Sequence, residues 1–437
     1  MPNKRTIYKN LKIILIITNC FYLLFYIFKS DIKGDILAVT DRGEHPASME
    51  PLLLAEGSRH RPALGDLAIE LAARASGFKR SLPAGVMAAL AHLVRAMNCY
   101  YSNLIEGHDT HPIDIERALK DDYSTNKLQR DLQIEARAHI TVQRWIDSGG
   151  LQGREMTASA ACEIHQRFCE LLPDGLLWTT NPDSGERMRV EPGKLRERDV
   201  RVGWHVPVSP GAVPRFMQRF EEVFSKLGRA ESILASASMH HRLVWIHPFL
   251  DGNGRVARLM SHAHWLAHLD TGGVWSIARG LARNVDTYKQ LLANCDLPRR
   301  NDLDGRGNLS EEALAGFTRF FLETGLDQVE FMEDLMRPNA LRTRILVWAE
   351  EETRMGKLPQ RAGQLLEAML YRGELPRGEI GPLLGTTDRT SRRVTRELLQ
   401  QGIFESDSSR APLRLAFPAA LASRWMPGLF PDKRSQT

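Results

Sequence analysis

Between residues 64 and 146 apolar positions recur three and four apart, as in Leu67-Ala68-Ile69-Glu70-Leu71-Ala72 and Val86-Met87-Ala88-Ala89-Leu90-Ala91-His92-Leu93. That spacing puts the apolar side chains on one face of a helix and predicts amphipathic helices throughout the stretch. The same period predicts further helices over 157–172, 213–227, 231–246, 255–269, 286–294 and 310–323. Proline and glycine interrupt the pattern between 172 and 214. Within that gap Val200-Arg201-Val202-Gly203-Trp204-His205-Val206 alternates, which predicts a short strand or hairpin. A polar run from 323 to 354, acidic and then basic, leads to a smaller C-terminal unit. It reads helix 361–371, turn at Gly373, helix 377–384, turn at Gly385, helix 388–401 and a two-stranded wing over 403–417. The expected fold class is all-α: a helical bundle with a small β-hairpin, followed by a winged helix-turn-helix domain. No internal repeat is visible.

Bulk composition changes this picture little. The chain has 437 residues, 43% hydrophobic and 25% charged, which suits several globular cores. A net charge of +5 permits a phosphate-rich partner without arguing for one. Cys20, Cys99, Cys162, Cys169 and Cys295 are scattered with no Cys-x-x-Cys spacing, so neither a disulfide framework nor a zinc site is expected, and a cytoplasmic location is the default. The N-terminus differs. Residues 1–12 are basic and 13–28 largely apolar, a short version of a membrane anchor. Residues 1–37 lack alanine altogether, whereas the chain after Glu50 is rich in Ala, Arg, Leu and Gly. A start assigned too far upstream, with Met49 as the true first residue, explains that switch better than an anchor. The expected boundaries are 1–48 for this segment, 49–150 for an N-terminal helical region, 151–330 for a core, 331–358 for a linker or helix, and 359–437 for the C-terminal domain.

The chemistry concentrates in His247-Pro248-Phe249-Leu250-Asp251-Gly252-Asn253-Gly254-Arg255 and Arg258. Pro248 disfavours helix at His247, so the chain leaves one helix there and turns. Gly252, Asn253 and Gly254 tolerate unusual backbone angles, letting consecutive N–H groups form an anion nest. The helix resuming at Arg255 adds its positive end. Arg255 and Arg258, three apart, can both reach phosphate oxygens. Asp251 suits Mg²⁺ held between phosphates, and His247 suits a general base. Together these make a phosphoryl- or nucleotidyl-transfer site. A structural turn would explain the glycines but not the other four residues. Gly252-x-Gly254-x-x-Ala257 also fits a dinucleotide fingerprint, but that motif must follow a strand.

This run resembles the signature of the Fic family, His-x-Phe-x-(Asp/Glu)-Gly-Asn-Gly-Arg-x-x-Arg, at every fixed position. The resemblance implies protein adenylyl transfer (AMPylation). His247 would deprotonate a hydroxyl of a target protein, and Asp251 would hold Mg²⁺. Gly252, Asn253 and Gly254 would cradle the α- and β-phosphates of ATP, with Arg255 and Arg258 on the β- and γ-phosphates. Removal of AMP by the same residues is the implied alternative. Three other stretches resemble family elements. Gly193-Lys194-Leu195-Arg196 and Val200-Arg201-Val202-Gly203 resemble the flap that lays the target segment beside the nucleotide. Tyr288, and more weakly Asn294, fall where the family contacts the adenine; the family often has paired tyrosines there, and this chain has Thr287-Tyr288. Ser102-Asn103-Leu104-Ile105-Glu106-Gly107 matches the inhibitory motif (Ser/Thr)-x-x-x-Glu-(Gly/Asn), which implies that Glu106 pairs with Arg258 and denies it to the γ-phosphate. Read alone, a hairpin, a packed tyrosine and a helix end capped by Gly107 explain these three stretches.

His264 and His268, with His262 nearby, lack a third ligand, so a histidine-bearing helix face is expected there rather than a metal site. No Walker-A sequence is present. Arg389, Arg392, Arg393 and Arg396 fall on the expected recognition helix and can meet DNA phosphates, although winged helices also dock proteins. A DNA-binding regulator with a nucleotide-sensing core is therefore the second reading. The expected partners are ATP and a target protein, with DNA and a homodimer left open.

Overall fold

The computed structural model describes residues 39–181 and 184–431. The apolar segment 13–28, expected as an anchor or an upstream artefact, lies outside these residues. Among the described residues no helix is long and apolar enough to cross a membrane.

Residues from Asp41 onward form one compact, mostly helical unit. Its helices are α1 (Arg61–Ser81), α2 (Ala84–Ile105), α3 (Pro112–Leu119), α4 (Lys127–Asp147), α5 (Ala158–Cys169), α6 (Val213–Phe224), α7 (Arg229–Leu234) and α8 (Ser236–Ile246). After these come α9 (Asn253–Leu269), α10 (Ala278–Arg283), α11 (Val285–Asn294), α12 (Glu311–Met336) and α13 (Pro338–Arg354). The C-terminal part holds α14 (Ala362–Arg372), α15 (Ile380–Leu384), α16 (Asp388–Gln400) and α17 (Ala422–Trp425). Helix starts follow the capping rules: the side chains of Thr157, Ser310 and Thr387 accept from N–H groups of the first turns of α5, α12 and α16.

The structure departs from the sequence reading in two places and decides two alternatives that it leaves open. The expected helix 231–246 is broken at Ala235 into α7 and α8, where the Ser236 hydroxyl donates to the Ile233 carbonyl at 2.8 Å and competes with the helical ladder. The polar run 323–354 is helical, in α12 and α13. Leu335, Met336, Leu341, Ile345 and Trp348 are buried, and the charges occupy the outer face. Of the strand or hairpin expected over 200–206, the structure forms a minimal hairpin, a two-residue turn closed by a single antiparallel bridge between Val202 and His205. An unanticipated hairpin pairs β1 (Trp178–Thr180) antiparallel with β2 (Arg187–Arg189).

In the C-terminal part, β3 (Glu374–Leu375), β4 (Phe404–Glu405) and β5 (Leu413–Leu415) form an antiparallel sheet in the order β3-β5-β4. Residues 403–417 hold the two strands expected there, β4 and β5, and β3, from between α14 and α15, adds a third at the other edge of β5. This part packs on α2. A Cβ on Gly85, at the start of α2, would overlap the Gly373 carbonyl, and the hydroxyl of Tyr101, near its end, donates to the Leu429 carbonyl at 3.0 Å. Ahead of Met49 the chain is already built into the fold, with Arg42 donating to Asp199 and Arg215 to Asp41.

Two hydrophobic clusters hold the bundle. One surrounds α2 and α12 and runs into the C-terminal part. The other gathers Phe216, Phe220, Ile246, Phe249, Val256 and Met260 around α8 and α9, which carry the signature turn between them.

Candidate active site

The turn is made by backbone geometry first. Helix α8 ends at His247, which adopts a left-handed conformation at φ 52°. Helix α9 begins after Gly252, at φ 79°. For a histidine that conformation is uncommon and needs support from its surroundings. Asn253 supplies part of it: its side-chain oxygen accepts from the Phe249 N–H at 2.9 Å and its amide donates to the Phe249 carbonyl at 2.8 Å. Phe249 is fully buried and stacks flat on His165, with ring centroids 4.1 Å apart. His165 Nδ1 in turn accepts from the Gly193 N–H at 2.9 Å, so α5, the turn and the base of the flap are tied together.

His247 is partly buried. Its Nδ1 lies 3.3 Å from the Val244 carbonyl, which fixes the proton on that nitrogen and leaves Nε2 as the basic atom, without a hydrogen-bond partner among the described residues. Burial, and then the nearby Arg196 cation, push its pKa down to about 4, so the imidazole is neutral at neutral pH. Asp251 is exposed, and its carboxylate has no ion pair among the described residues.

Arg255 and Arg258 are both buried and both meet a carboxylate. Arg255 lies 3.6 Å from Glu135 and over the Phe168 ring. Arg258 donates from Nε to the Ser102 hydroxyl at 2.8 Å and from Nη2 to Glu106. The Glu106 carboxylate also lies against Gly254: a Cβ there would sit 2.6 Å from Glu106 Oε1. An anion thus already occupies the mouth of the α9 N-terminus. Burial opposes the Glu106 charge, but the Arg258 cation and its hydrogen bond outweigh that and hold the pKa below its ordinary value.

Glu106 is placed by the end of α2. Gly107, at φ 87°, lets His108 N–H reach the Asn103 carbonyl at 2.9 Å and Gly107 N–H reach the Leu104 carbonyl at 3.0 Å. This paired termination is a Schellman motif. Helix end and carboxylate placement are therefore one feature, not competing explanations of the same residues.

Other anticipated residues fall differently. Tyr288, expected against a base, is buried, with its hydroxyl 2.7 Å from His240 Nε2 and behind Arg258. Its ring fills the core beside Phe317 and exposes no face for stacking. Asn294, the last residue of α11, is half-buried. The side chain of Asn253 is committed to the turn itself, which leaves only its backbone for an anion. Val202 and Gly203 lie in the flap turn with Val200 and Arg201 just ahead, and Trp204 at its tip is 95% exposed. Arg389, Arg392, Arg393 and Arg396 are all exposed on α16, and no ion pair involves them among the described residues. His264 is buried with Nε2 2.7 Å from the Ser232 carbonyl, and His262 meets Asp147. No group of three or more metal-ligating side chains occurs among the described residues.

Sequence reasoning missed Glu135 and His165 and left Arg196 without a role. Each comes from a segment distant in sequence, and none carries a local spacing signal.

Fold and site together define a helical protein with an anion-binding turn between two central helices. Residues 155–264 match the Fic/DOC family. The protein is similar to the "Protein adenylyltransferase Fic" of Drosophila grimshawi, at 29% identity over 255 residues covering 51% of this chain and 49% of that protein. It is also similar to that of Drosophila ananassae, at 34% over 119 residues covering 27% and 21%. The chain spans about half the length or less of the curated relatives it matches. Among solved structures it resembles a Fic family protein from Desulfovibrio desulfuricans G20, at TM-score 0.46 and 16% identity over 80% of this chain and 96% of that one. Fic-1 from C. elegans gives TM-score 0.48 and 16% identity over 63% and 73%.

Proposed function

We propose that this protein transfers AMP from ATP to a hydroxyl of a target protein and holds itself inactive through Glu106. The observation that carries the reading is the turn from His247 to Arg258, where a neutral imidazole, backbone N–H groups and two arginines converge and a carboxylate already sits in the anion position. With Glu106 displaced, Gly254 and Arg258 become available to the triphosphate. His247 Nε2 accepts the proton of the target hydroxyl, and the hydroxyl oxygen bonds to the α-phosphorus. The bond from that phosphorus to the bridging oxygen breaks, and pyrophosphate leaves. Bound phosphates raise the His247 pKa from about 4 toward the range where a base is effective. Mg²⁺ fits the donor set: one exposed carboxylate, Asp251, is what an ion shared with substrate phosphates needs. It would neutralise phosphate charge there.

The test is incubation with ATP labelled on the α-phosphate, with and without an extract of the source cell. The reading expects protein labelling by Glu106→Gly, little by the wild type, and none by Glu106→Gly/His247→Ala. Label retained in the double variant, or transfer seen only with ATP labelled on the γ-phosphate, rejects it.

A second reading concerns the C-terminal part. Its helix order, three-stranded sheet and four exposed arginines on α16 support a winged-helix DNA contact. Anisotropy of a labelled duplex checks this. Binding that weakens steeply with salt and drops at least tenfold in Arg392→Ala/Arg393→Ala supports it, whereas binding indifferent to both rejects it.

A further inference from the structure

Arg196 is 3% exposed, and no ion pair involves it among the described residues. Asp199, three positions on, is engaged by Arg42 instead, at 3.0 Å. A buried cation without a carboxylate is costly unless its donors are met. Here they are met by carbonyls alone. Nε donates to the His247 carbonyl at 2.7 Å. Nη1 donates to Arg198 at 3.1 Å, and Nη2 donates to Val208 and, at 3.4 Å, to Ile246. The Arg196 backbone N–H adds a bond to the Pro248 carbonyl at 2.8 Å. One residue therefore grips three consecutive carbonyls, from Ile246 to Pro248, across the point where His247 turns left-handed. The same guanidinium holds both ends of the flap segment, at Arg198 and Val208.

We infer that Arg196 is a positioning residue: it locks the left-handed backbone of His247, and with it the aim of the imidazole, to the base of the flap. The inference rests on the adenylyl-transfer reading for its kinetic test but not for its spectroscopic one. Only a planar guanidinium meets carbonyls from both segments at once, and a lysine ammonium on a flexible stem does not. Held this way, the base and the segment expected to present the hydroxyl move as a unit. A small misplacement of a reacting group is enough to reduce rate severely.

The experiment compares Arg196→Gln and Arg196→Lys in the Glu106→Gly background. Both should lower kcat for label transfer at least tenfold, with KM for ATP within about twofold. ¹⁵N NMR of the His247 ring supplies a readout independent of activity. In both Arg196 variants the ring should lose its single Nδ1-protonated form, and in Arg196→Gln, where the neighbouring cation is gone, it should also titrate at higher pH. Unchanged kcat and ring spectra in a folded variant overturn the inference. So does failure of both variants to fold, which would make Arg196 a general core residue. If Glu106→Gly transfers no label at all, adenylyl transfer fails and the ring spectra alone decide this point.

Discussion

At the residue scale, Asn253 shows how a binding turn is held open. Its side chain satisfies both backbone groups of buried Phe249, which fixes the turn between Phe249 and Asn253. Removing it strands a buried donor and a buried acceptor. Asn253→Ala should cost about 1–3 kcal/mol, read as a lower urea midpoint, and should weaken ATP binding in a Glu106→Gly protein. The signature run was legible in the sequence because its residues are contiguous and each type has a specific chemical use. The division of labour within it was not. Nothing local distinguishes an asparagine that binds a ligand from one that braces a loop. Tyr288 misled for a related reason: a tyrosine on an amphipathic helix can face a cleft or the core, and the partner that decides, His240, is distant in sequence.

At the scale of elements, the end of α2 sets the position of Glu106. A Cβ on Gly107 would meet no atom within 4 Å, so Gly107→Ala tests backbone conformation alone. It should destabilise the Schellman end by about 1 kcal/mol and raise label transfer above wild type without reaching Glu106→Gly. Transfer equal to wild type would show that the helix end does not govern the carboxylate. Most helices were readable from their period. The break at Ala235 was not, because it comes from a serine hydroxyl bonding back to the chain. By composition the run 323–354 leaves a linker and a helix both open; its sparse apolar residues are spaced to bury one face of a helix.

Across the whole molecule, two features make the protein responsive. The first is a set of buried neutral histidines. Burial above all holds the pKa of His139, His240 and His264 at about 3 and of His165 and His241 at about 4, against about 6.5 in the unfolded chain. Between those values the unfolded chain binds more protons. Stability is therefore full above about pH 6.5 and declines as pH falls toward 4, by at most about 1.4 kcal/mol per histidine per pH unit. Urea midpoints should drop from pH 7.5 to 5.5. His139→Phe should shrink that drop, because neither His139 ring nitrogen has a partner among the described residues. The second feature is the grip of the C-terminal part on α2. Tyr101 reaches Leu429, and the Tyr100 and Phe430 rings meet edge to face at 5.7 Å, one and two residues before Ser102 braces Arg258. Tyr101→Phe should raise label transfer severalfold in the wild-type background and leave it unchanged in Glu106→Gly. An equal rise in both backgrounds would place the effect elsewhere. This packing joins segments more than 300 positions apart, which no period or motif in the sequence could announce.

The most direct test of the central claim is the intact mass of the Glu106→Gly protein after incubation with Mg²⁺ and ATP. Self-modification should appear as a gain of one or more AMP units, lost when His247 is also replaced by alanine. A mass that stays unchanged while added target proteins also gain nothing, or a gain of phosphate rather than AMP, would contradict it.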